Sequence, residues 1–569
     1  MNTRLSYAPA EIAGAPLLAR ELDCHPVVAD LIWRRGHTTV DAARFFLNPD
    51  FSRLTDPFAM KDMQKAVERI YIAVANREKI LIFGDFDADG VTATALIHEF
   101  LSRVDADVTW YIPHRIKEGY GITPAHVRMA ADQAVDLIIT VDCGISGNEA
   151  AAAAAGEDID VIITDHHEPG VHLPAAAAIV DPKQPDCPSG LSFLAGVGVV
   201  FFLVMALRKF FREKGVWDRI PEPALVPFLD LFAVGTIGDM VPLVKENRAL
   251  CMAGIRQMHK AARPGIQALA SAARIDMSQL DSDDISFKLV PRINAAGRMS
   301  HARICVSLLT SRTGAEAEKT ALILDDLNVR RQIVEREIIT DIENRIQQNP
   351  ALLKNRLLML WDRKWDPSVL GIAASKLAQK YVCPVLLLSC RQEMAMGSGR
   401  SINNINIHQA LTAHAHLLEK FGGHAMASGL TLASDRLPAL MSGLHTHLET
   451  HYSSNDFTKT LTIDAELDLA DISLELARDL DRMRPFGMAN PEPLFLARRL
   501  KVVSSQIIGR SHRKMLLQSA DSADSPAVEA FHFNAPDILQ APVLYDQVAF
   551  RLKLSKFKSC TPQMILEDL

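Results

Sequence analysis

Five short, largely apolar segments follow one another between residues 79 and 180, and stretches typical of helices separate several of them. They cover residues 79–83, 108–112, 136–141, 160–164 and 178–180. Short apolar strands that alternate with helices are typical of a parallel sheet, because helices then cover both of its faces. The sequence therefore predicts an α/β lobe built on a doubly wound parallel sheet.

Aspartates follow four of these five predicted strands. Asp85 lies two residues after the first, and Asp142, Asp165 and Asp181 directly follow the third, fourth and fifth. Ligands of open α/β sheets bind just outside the carboxyl ends of the strands. The sequence thus predicts an acidic site along one edge of the sheet.

The densest acidic segment is FGDFDADGVTATA at 83–95, in which Asp85, Asp87 and Asp89 alternate with other residues. Three carboxylates this close repel one another, and a divalent cation with oxygen ligands relieves the repulsion. An EF-hand is disfavoured, because it needs a glutamate six residues after the glycine and the chain has Leu96 there. A solvated acidic turn is the remaining alternative.

Three further segments carry candidate metal ligands. They are TVDCGIS at 140–146 with Asp142, TDHHEPG at 164–170 with His166 and His167, and GTIGDMVPL at 235–243 with Asp239. Singly, each has a structural alternative, which is a helix cap for Asp142 and Asp165 and a turn for Asp239. Together, carboxylates and imidazole on separate loops of one sheet edge suit two metal ions that activate water for phosphoryl transfer.

The pattern changes twice beyond this lobe. Residues 322–346 are helical in pattern, polar-faced and free of proline and glycine, which predicts a connector. Apolar runs at 356–361 and 384–389, with a helical stretch at 371–381 between them, predict a second α/β unit. From about residue 460 the chain becomes rich in strand patterns, which favours a small β-barrel.

Composition limits the remaining classes. The chain has 569 residues, 48% of them hydrophobic and 23% charged, with a formal net charge of −7, as in a globular protein of about three to four domains. Its eight cysteines form no CxxC pair and suit a reducing, cytoplasmic compartment. The start of the chain lacks a signal core, and the most apolar stretch, 194–207, is too short to span a membrane and predicts a buried helix.

The C-terminal region has the opposite charge to the whole. Between 498 and 560 there are ten basic residues (498, 499, 501, 510, 513, 514, 551, 553, 556 and 558) against five acidic ones (521, 524, 529, 537 and 546), a net of +5. Basic strands suit an oligonucleotide-binding barrel, with a solvated face as the alternative. Phe531, Phe533 and Phe557 are candidates for stacking on bases, with core packing as the alternative.

These motifs resemble the DHH phosphoesterase superfamily, which is named for a segment like Asp165-His166-His167, and in particular its RecJ family of single-stranded-DNA-specific exonucleases. The resemblance runs from about residue 81 to about 493 and is most specific in GDFDADG and TIGDMVPL. It also includes the segments at 111–122, 180–186, 194–201 and 291–302. GSGRSI at 397–402 and FGGHAMASGL at 421–430 resemble the DHHA1 domain, and RPFGMANPEP at 484–493 precedes the family's oligonucleotide-binding (OB) barrel.

The resemblance implies a doubly wound parallel-sheet DHH lobe, a long helical connector, an α/β DHHA1 lobe and a C-terminal OB-like β-barrel. The expected bounds are an N-terminal cap at 1–60, the DHH domain at 61–305, connecting helices at 306–350, the DHHA1 domain at 351–458 and the OB-like domain at 459–569.

The family also implies 5′-to-3′ hydrolysis of single-stranded DNA in repair and recombination, with two Mg²⁺ or Mn²⁺ ions. Carried over by motif, the metal ligands are Asp85, Asp87, Asp89, Asp142, His166 and Asp239. The catalytic set is Asp87, Asp89, His167, Arg400 and His424, and the substrate-binding set is Arg115, Asn294, Arg298, Ser398, Arg400, Gly422, Gly423 and His424. Asp85 and His167 are expected either to bind the metal ions themselves or to contact the residues that bind them. The expected state is a cytoplasmic monomer away from membranes, with single-stranded-DNA-binding protein and a helicase as partners.

Two positions depart from the family pattern. Asp366 stands where RecJ chains commonly have histidine, which puts a substrate contact in doubt, and Phe86 replaces a usual tyrosine. Three alternatives stay open: a DHH phosphodiesterase for short RNA or cyclic dinucleotides, a pyrophosphatase-like member, and a non-catalytic replication scaffold. Length and the basic C-terminal region favour RecJ over the smaller enzymes, and the intact ligand set disfavours a scaffold.

Overall fold

The computed structural model describes residues 4–7, 14–354, 356–509, 511–522, 525–535, 543–555 and 561–567. The sequence-based expectations for Arg510, Asp524, Asp537, Lys556, Phe557, Lys558 and Cys560 lie outside these residues. The described part forms two compact units, a larger one from Tyr7–Asp325 and Ile463–Leu569 and a smaller one from Met1–Ser6 and Asp326–Thr462. No helix of the described part has the length and hydropathy needed to cross a bilayer.

A parallel sheet forms the centre of the larger unit. The first strand, β1 (Arg4–Tyr7), lies outside it, and the five sheet strands are β2 (Ile80–Gly84), β3 (Val108–Tyr111), β4 (Leu137–Val141), β5 (Asp160–Thr164) and β6 (Ala178–Val180). They pair in the order β3-β2-β4-β5-β6, and every pair is parallel. This confirms the predicted doubly wound sheet. The strand order reverses between β2 and β4, which is the switch point where such sheets bind ligands.

Helices precede, cover and follow this sheet. They are α1 (Ala15–Leu22), α2 (Pro26–Arg34), α3 (Val40–Leu47), α4 (Met63–Asn76), α5 (Ala88–Ser102), α6 (Pro124–Asp132), α7 (Asn148–Gly156), α8 (Gly196–Glu213), α9 (Leu229–Gly238), α10 (Lys245–Ala261), α11 (Pro264–Ala272), α12 (Ser282–Asp284), α13 (Val290–Met299) and α14 (Arg303–Leu309). The helix predicted over 194–207 is α8, and most of its residues are buried. A single π-helical turn, Ile285–Leu289, joins α12 to α13.

A long helix, α15 (Gly314–Gln348), leads into the smaller unit and extends the connector predicted over 322–346 at both ends. The elements that follow are β7 (Leu358–Asp362), α16 (Leu370–Tyr381), β8 (Val385–Arg391), β9 (Met394–Arg400), α17 (Ile407–Thr412), β10 (Lys420–His424), β11 (Ala427–Ala433), α18 (Leu437–His451) and β12 (Thr460–Ile463). The sheet order is β10-β11-β9-β8-β7, with only β7 and β8 parallel. The sequence predicted β7, β8 and α16 but not the glycine-rich antiparallel strands.

A closed barrel completes the larger unit. After β13 (Ala465–Glu466) and α19 (Leu474–Arg482) come β14 (Phe495–Ile508), β15 (His512–Ser519), β16 (Val528–His532), β17 (Leu544–Leu554) and β18 (Pro562–Glu567). The order β14-β15-β16-β18-β17 closes because β17 also pairs with β14. This confirms the predicted OB-type barrel.

The N-terminal helices share one hydrophobic core with this barrel. Leu18 of α1 and Ile32 of α2 belong to the same buried cluster as Phe495 and Phe550 of the barrel. The segment predicted as a separate cap therefore buries its apolar face against the far end of the chain. A contact between elements more than 400 residues apart leaves no local signal in the sequence.

Ion pairs neutralise most of the counted basic side chains in the described part of the barrel. Carboxylates pair with five of its basic side chains, namely Arg498 with Glu466, Arg499 with Asp521, Lys514 with Glu529, Arg551 with Glu567, and Lys553 with Asp283 and Glu492. Several of these acids lie outside the window in which the charge was counted. Phe533 is 52% exposed and stacks 6.2 Å from Phe531, so it is not a core residue.

Candidate metal centre

The loop after β2 places three carboxylates at the switch point of the sheet. Asp87 caps α5, because its Oδ1 accepts from the backbone N–H of Asp89 at 3.0 Å and of Gly90 at 3.1 Å. A Cβ on Gly90 would lie 2.6 Å from the carbonyl oxygen of Asp85, so the tight loop requires glycine there. The helix therefore starts at Ala88, inside the acidic motif, and not after it.

Asp89 is anchored on a second helix. It is 1% exposed, and its carboxylate accepts from the N–H groups of Gly196 at 2.6 Å and Val197 at 2.8 Å, in the first turn of α8. Burial and the charge of Asp87 raise the pKa of Asp89 to about 7, although these two N–H groups act in the opposite direction. The helix terminus thus orients a carboxylate whose charge still lacks a cation.

Asp142 directly follows β4 and is 2% exposed. Its backbone has a φ of 61°, in the left-handed region that aspartate tolerates better than most residues. Its Oδ1 is buried without a hydrogen bond. Burial and the charges of Asp89, Asp87 and Asp85 raise its pKa. Asp142 is therefore an uncompensated carboxylate that faces other carboxylates.

His166 lies at the point where the carboxylates converge. Its Nε2 is 3.1 Å from Asp142 Oδ1, 3.6 Å from Asp239 Oδ2 and 3.8 Å from Asp89 Oδ2. Both ring nitrogens are nevertheless buried without a hydrogen bond. Burial and the neighbouring His167 lower the pKa of His166 to about 3, so the ring is neutral and offers a lone pair. A neutral imidazole among carboxylate oxygens suits a cation better than it suits a hydrogen-bond network.

Three groups of side chains meet the distance requirement of a metal site. They are Asp142, His166 and His167; Asp89, His166 and Asp239; and Asp85, Asp87 and Asp142, each with ligand atoms within 4.8 Å of one another. Asp239, the residue that follows α9, is the last of these candidates, and burial with the charge of Asp89 raises its pKa to about 9. Asp85, Asp89, Asp142 and His166 are buried, and Asp85 and Asp142 each have an oxygen without a hydrogen bond, as both ring nitrogens of His166 do. Such oxygen and nitrogen donors fit divalent cations, and all six predicted ligands are among the three groups.

Asp165 is a functional residue that the sequence-based ligand list missed. Its Oδ1 accepts from His166 N and from His167 Nδ1, both at 2.7 Å, and its Oδ2 accepts from Ile145 N at 2.9 Å. Although burial opposes it, this interaction raises the pKa of His167 to about 9. Asp165 therefore orients the imidazole of His167 and holds the backbone of His166, and its place before the histidine pair was the available signal.

Tyr120 also escaped the sequence-based prediction. Its hydroxyl lies 3.2 Å from His167 Nδ1 and donates to the carbonyl oxygen of Asp142 at 3.3 Å. The ring is 47% exposed, so it links the buried centre to the surface. Its segment, 111–122, was recognised as a motif, but a tyrosine on a loop carries no specific signal of its own.

The predicted substrate residues of the larger unit lie around the acidic loop. Asn294 Oδ1 accepts from the backbone N–H of Ala88 at 2.8 Å, so it holds the start of α5. The guanidinium of Arg115 lies 4.8 Å above the ring of Phe86, and the charges of Asp85 and Asp87 act on it. Arg298 is half-buried on the same helix as Asn294, α13.

The predicted phosphate-binding residues come together in the smaller unit. The strand β11 lies between β9 and β10. Its Gly429 pairs with Ser398 on one side and Gly422 on the other, and its Ala427 pairs in the same way with Arg400 and His424. All four predicted residues among them therefore lie on one face of the sheet. Gly423, with a φ of 133°, sits between the aligned pairs, where a Cβ would lie 2.2 Å from the carbonyl oxygen of Ala427.

The first turn of α16 adjoins Arg400. Arg400 Nη1 donates to Ser398 Oγ at 2.7 Å, and a Cβ on Gly371 would lie 2.8 Å from Arg400 Nη2. A guanidinium, a hydroxyl and a helix N-terminus together suit a phosphate group. Asp366, at the family's histidine position, instead accepts from Ser368 N and Oγ and shapes the turn into α16.

Three family models match the chain. The model described as DHH family, N-terminal domain, matches residues 79–236, the DHHA1 domain matches 354–449, and the RecJ OB domain matches 463–568. These matches follow the order of the acidic sheet, the glycine-rich sheet and the barrel described above.

Curated relatives are similar to the chain over most of its length. The single-stranded-DNA-specific exonuclease RecJ of Bacillus subtilis strain 168 is 35% identical over 97% of this chain and 69% of its own length. The protein of the same name from Escherichia coli K12 is 34% identical, and 90% of each chain is covered. A crystal structure of RecJ from Thermus thermophilus in complex with Mn²⁺ superposes with a TM-score of 0.82 at 27% identity, covering 100% of this chain and 79% of that one. A second structure of that protein, in complex with Mg²⁺, has a TM-score of 0.77 at 26% identity, covering 100% of this chain and 78% of that one.

Proposed function

The chain belongs to the RecJ family of single-stranded-DNA-specific exonucleases, and we propose that it degrades single-stranded DNA from the 5′ end by hydrolysing phosphodiester bonds. It is a metal-dependent exonuclease, with Mn²⁺ or Mg²⁺ as its cofactor. The observation that carries the proposal is the neutral imidazole of His166, whose Nε2 lies within 4 Å of three carboxylates, two of them buried. Metal-assisted phosphoryl transfer uses such a site, whereas a scaffold has no need of it.

We assign the six ligands to two divalent cations, which would supply an activated water and offset charge on the attacking and leaving oxygens. The chain's own residues hold this arrangement. The first turn of α8 fixes Asp89, and Asp165 fixes the ring of His167 and the backbone of His166. His167, with its raised pKa, presents a positive charge beside the centre and attracts the phosphodiester.

The smaller unit supports the proposal with a phosphate-binding surface. Arg400 has a guanidinium that Ser398 orients, and His424 shares its sheet face. We propose that these residues bind a phosphate group of the substrate and that Arg115, Asn294 and Arg298 bind the strand. Substitution of any of these residues should raise KM or lower kcat, and the protein should still bind the divalent ion.

Asp87→Asn tests the metal centre with little structural cost. Asparagine still caps α5, because it is as good an N-cap as aspartate, but it removes one ligand charge. We expect cleavage of 5′-labelled single-stranded DNA to fall by about 100-fold or more, since one misplaced or missing reacting group has that effect. Asp132→Ala, at an exposed aspartate that ends α6, is the matched control and should cleave normally.

The same assay tests which substrates are cut and from which end of the strand cleavage proceeds. Duplex DNA, short RNA and a cyclic dinucleotide serve as alternative substrates, and strands blocked at the 5′ or the 3′ end report the direction. We expect hydrolysis of single-stranded DNA alone, with a 5′ block that stops it. Near-wild-type activity of Asp87→Asn, or release of label only from RNA or the cyclic dinucleotide, would contradict the proposal.

We also propose a role in DNA repair and recombination as a cytoplasmic monomer that works with single-stranded-DNA-binding protein and a helicase. Family membership supports the single-stranded DNA substrate, and the partners follow from it as expectations. Light scattering after gel filtration tests the monomer. Stimulation of cleavage on a partly duplex substrate by a helicase and single-stranded-DNA-binding protein tests the partners.

A further inference from the structure

A cleft in the larger unit, which none of the predicted metal ligands lines, contains several cationic side chains. It has a volume of about 540 Å³ and lies between α2, α3, the start of α10 and the loop at 489–490. Its positive residues are Arg35, Arg53, Lys245 and Arg248, and it is also lined by His37, whose pKa is lowered by burial and by the charges of Arg248 and Arg35. Its one acidic lining residue, Asp41, is already bound by Arg53 through two hydrogen bonds of 3.0 and 2.8 Å. We call this feature the cap cleft.

Arg35 and Arg248 are hydrogen-bonded only to neutral acceptors among the described residues. Arg35 donates to Asn490 Oδ1 and, at 2.6 Å, to the carbonyl oxygen of Pro491. Arg248 donates to the carbonyl oxygens of Phe46 and, at 2.8 Å, of Arg484. Within the described part, no carboxylate oxygen lies within 4.0 Å of either guanidinium. Neither guanidinium therefore has a carboxylate in direct contact, although the charge of Asp464 acts on Arg35 from a greater distance.

Arg248 is the buried member of this pair. It is 2% exposed, and its Nε has no hydrogen-bond partner among the described residues. Burial together with the charge of Arg35 lowers its pKa to about 9, and burial lowers the pKa of Arg35 to about 10. Two neighbouring cations in a partly dehydrated cleft are costly unless an anion joins them.

The remaining walls suit a phosphate that carries an organic group. Val244 and Lys245 are the N-cap and first residue of α10, a 17-residue helix whose N-terminus has no side-chain cap. Free backbone N–H groups and the positive end of a helix favour phosphate. Phe45, Pro49 and Leu243 form an apolar wall that a nucleobase fits.

We propose that the cap cleft is a second nucleotide-binding site, in which Arg35, Lys245 and Arg248 hold a phosphate group and the apolar wall holds the base. The phosphate chemistry rests on the cleft alone, whereas the identity of the ligand as a nucleotide rests on the proposed nuclease function. A released mononucleotide and a phosphodiester of the bound strand share this chemistry.

Binding of thymidine 5′-monophosphate by calorimetry tests the proposal. Measurements use Arg400→Gln protein in EDTA, so that neither the smaller unit's phosphate-binding surface nor a divalent ion contributes. Lys245→Glu is the test variant, because Lys245 is exposed, and Lys260→Glu at the other end of α10 is the matched control. We expect Lys245→Glu to weaken binding by about tenfold or more, since hydrogen bonds to charged groups are worth about that much. Lys260→Glu should bind like its parent.

Further outcomes support, assign or overturn the proposed site. Slower hydrogen exchange of the amides at 245–248 with the mononucleotide, but not with thymidine, supports the site. If Lys245→Glu weakens the binding of oligothymidylate as much as that of the mononucleotide, the site binds the DNA strand. If the cleft binds the mononucleotide but not oligothymidylate, the site binds the reaction product. Equal binding of thymidine, equal affinities of the two lysine variants, or complete loss of binding with Arg400→Gln would overturn the proposal. Absence of nuclease activity in the unsubstituted protein would remove the proposed function but not the phosphate site.

Discussion

Gly196 is the position where the smallest change should disturb the metal centre most directly. It opens α8, its N–H donates to Asp89 at 2.6 Å, and a Cβ built on it would lie 2.6 Å from Asp142 Oδ1. Ordinary contacts begin near 3.4 Å, so Gly196→Ala requires a shift of roughly 0.8 Å between the helix and Asp142. Since Asp142 is buried against His166, that shift moves a carboxylate relative to its neighbouring ligands.

The effect on activity should exceed the effect on stability. A displacement of about 1 Å in a reacting group costs about 100-fold in rate, so we expect kcat to fall by about that factor. Overpacking lowers the free energy of unfolding by about 1–3 kcal/mol. Alanine regains about 1 kcal/mol over glycine in a helix, so the net loss of stability is about 0–2 kcal/mol.

Gly198→Ala is the matched control, two residues along the same helix. A Cβ there would lie 3.2 Å from the side chain of Leu194, which is not a predicted metal ligand. The assay measures kcat on 5′-labelled single-stranded DNA with Mn²⁺, beside urea unfolding of both variants. We expect Gly198→Ala to cleave normally. Normal cleavage by Gly196→Ala, or equal losses in both variants, would refute the placement of Asp142 against α8.

Three further predictions concern the larger unit. Arg263→Met removes the buried partner of Asp230, whose oxygens lie 2.9 Å from two guanidinium nitrogens, and should lower the free energy of unfolding by about 3–5 kcal/mol in urea titrations. Asp165→Asn should lower the pKa of His167, followed by NMR titration, because that carboxylate raises it; an unchanged pKa would contradict the assigned contact. In EDTA, Asp239 has a folded-state pKa of about 9, above its unfolded value of 3.8, so it favours folding at low pH. Stability in urea should therefore fall as pH rises between these values, by up to about 1.4 kcal/mol per unit for this group, and Asp239→Asn should flatten the slope.

Local sequence patterns were sufficient for the catalytic sheet. The strand predicted at 160–164 is β5 without change, and the one at 79–83 differs from β2 by one residue at each end. Buried parallel strands are apolar on both faces, so they stand out from their surroundings. The candidate ligands were listed for the same reason, since each follows a recognisable strand or lies in a specific motif, and their ligand role stays a prediction.

Other features could not be predicted from the sequence, because no pattern of neighbouring residues marks them. The antiparallel strands β9 and β10 are rich in glycine and are exposed in part, so they lack the apolar runs that mark strands. The charge count over the barrel predicted a positive surface, but Glu466 and Glu492, from outside the counted window, pair with Arg498 and Lys553. Tyr120 acts through a contact 47 residues away along the chain.

The sequence by itself determined the parallel sheet, the row of aspartates at its edge and the glycine positions that let the acidic loop turn. These depend on hydrophobic periodicity and on backbone sterics, which act over a few residues. Only the tertiary structure decided that His166 stands among three carboxylates, that the first turn of α8 holds Asp89, and that two neighbouring arginines of the cap cleft have no carboxylate partner in the described part of the chain. Electrostatic compensation depends on distance in space, and a linear sequence does not carry it.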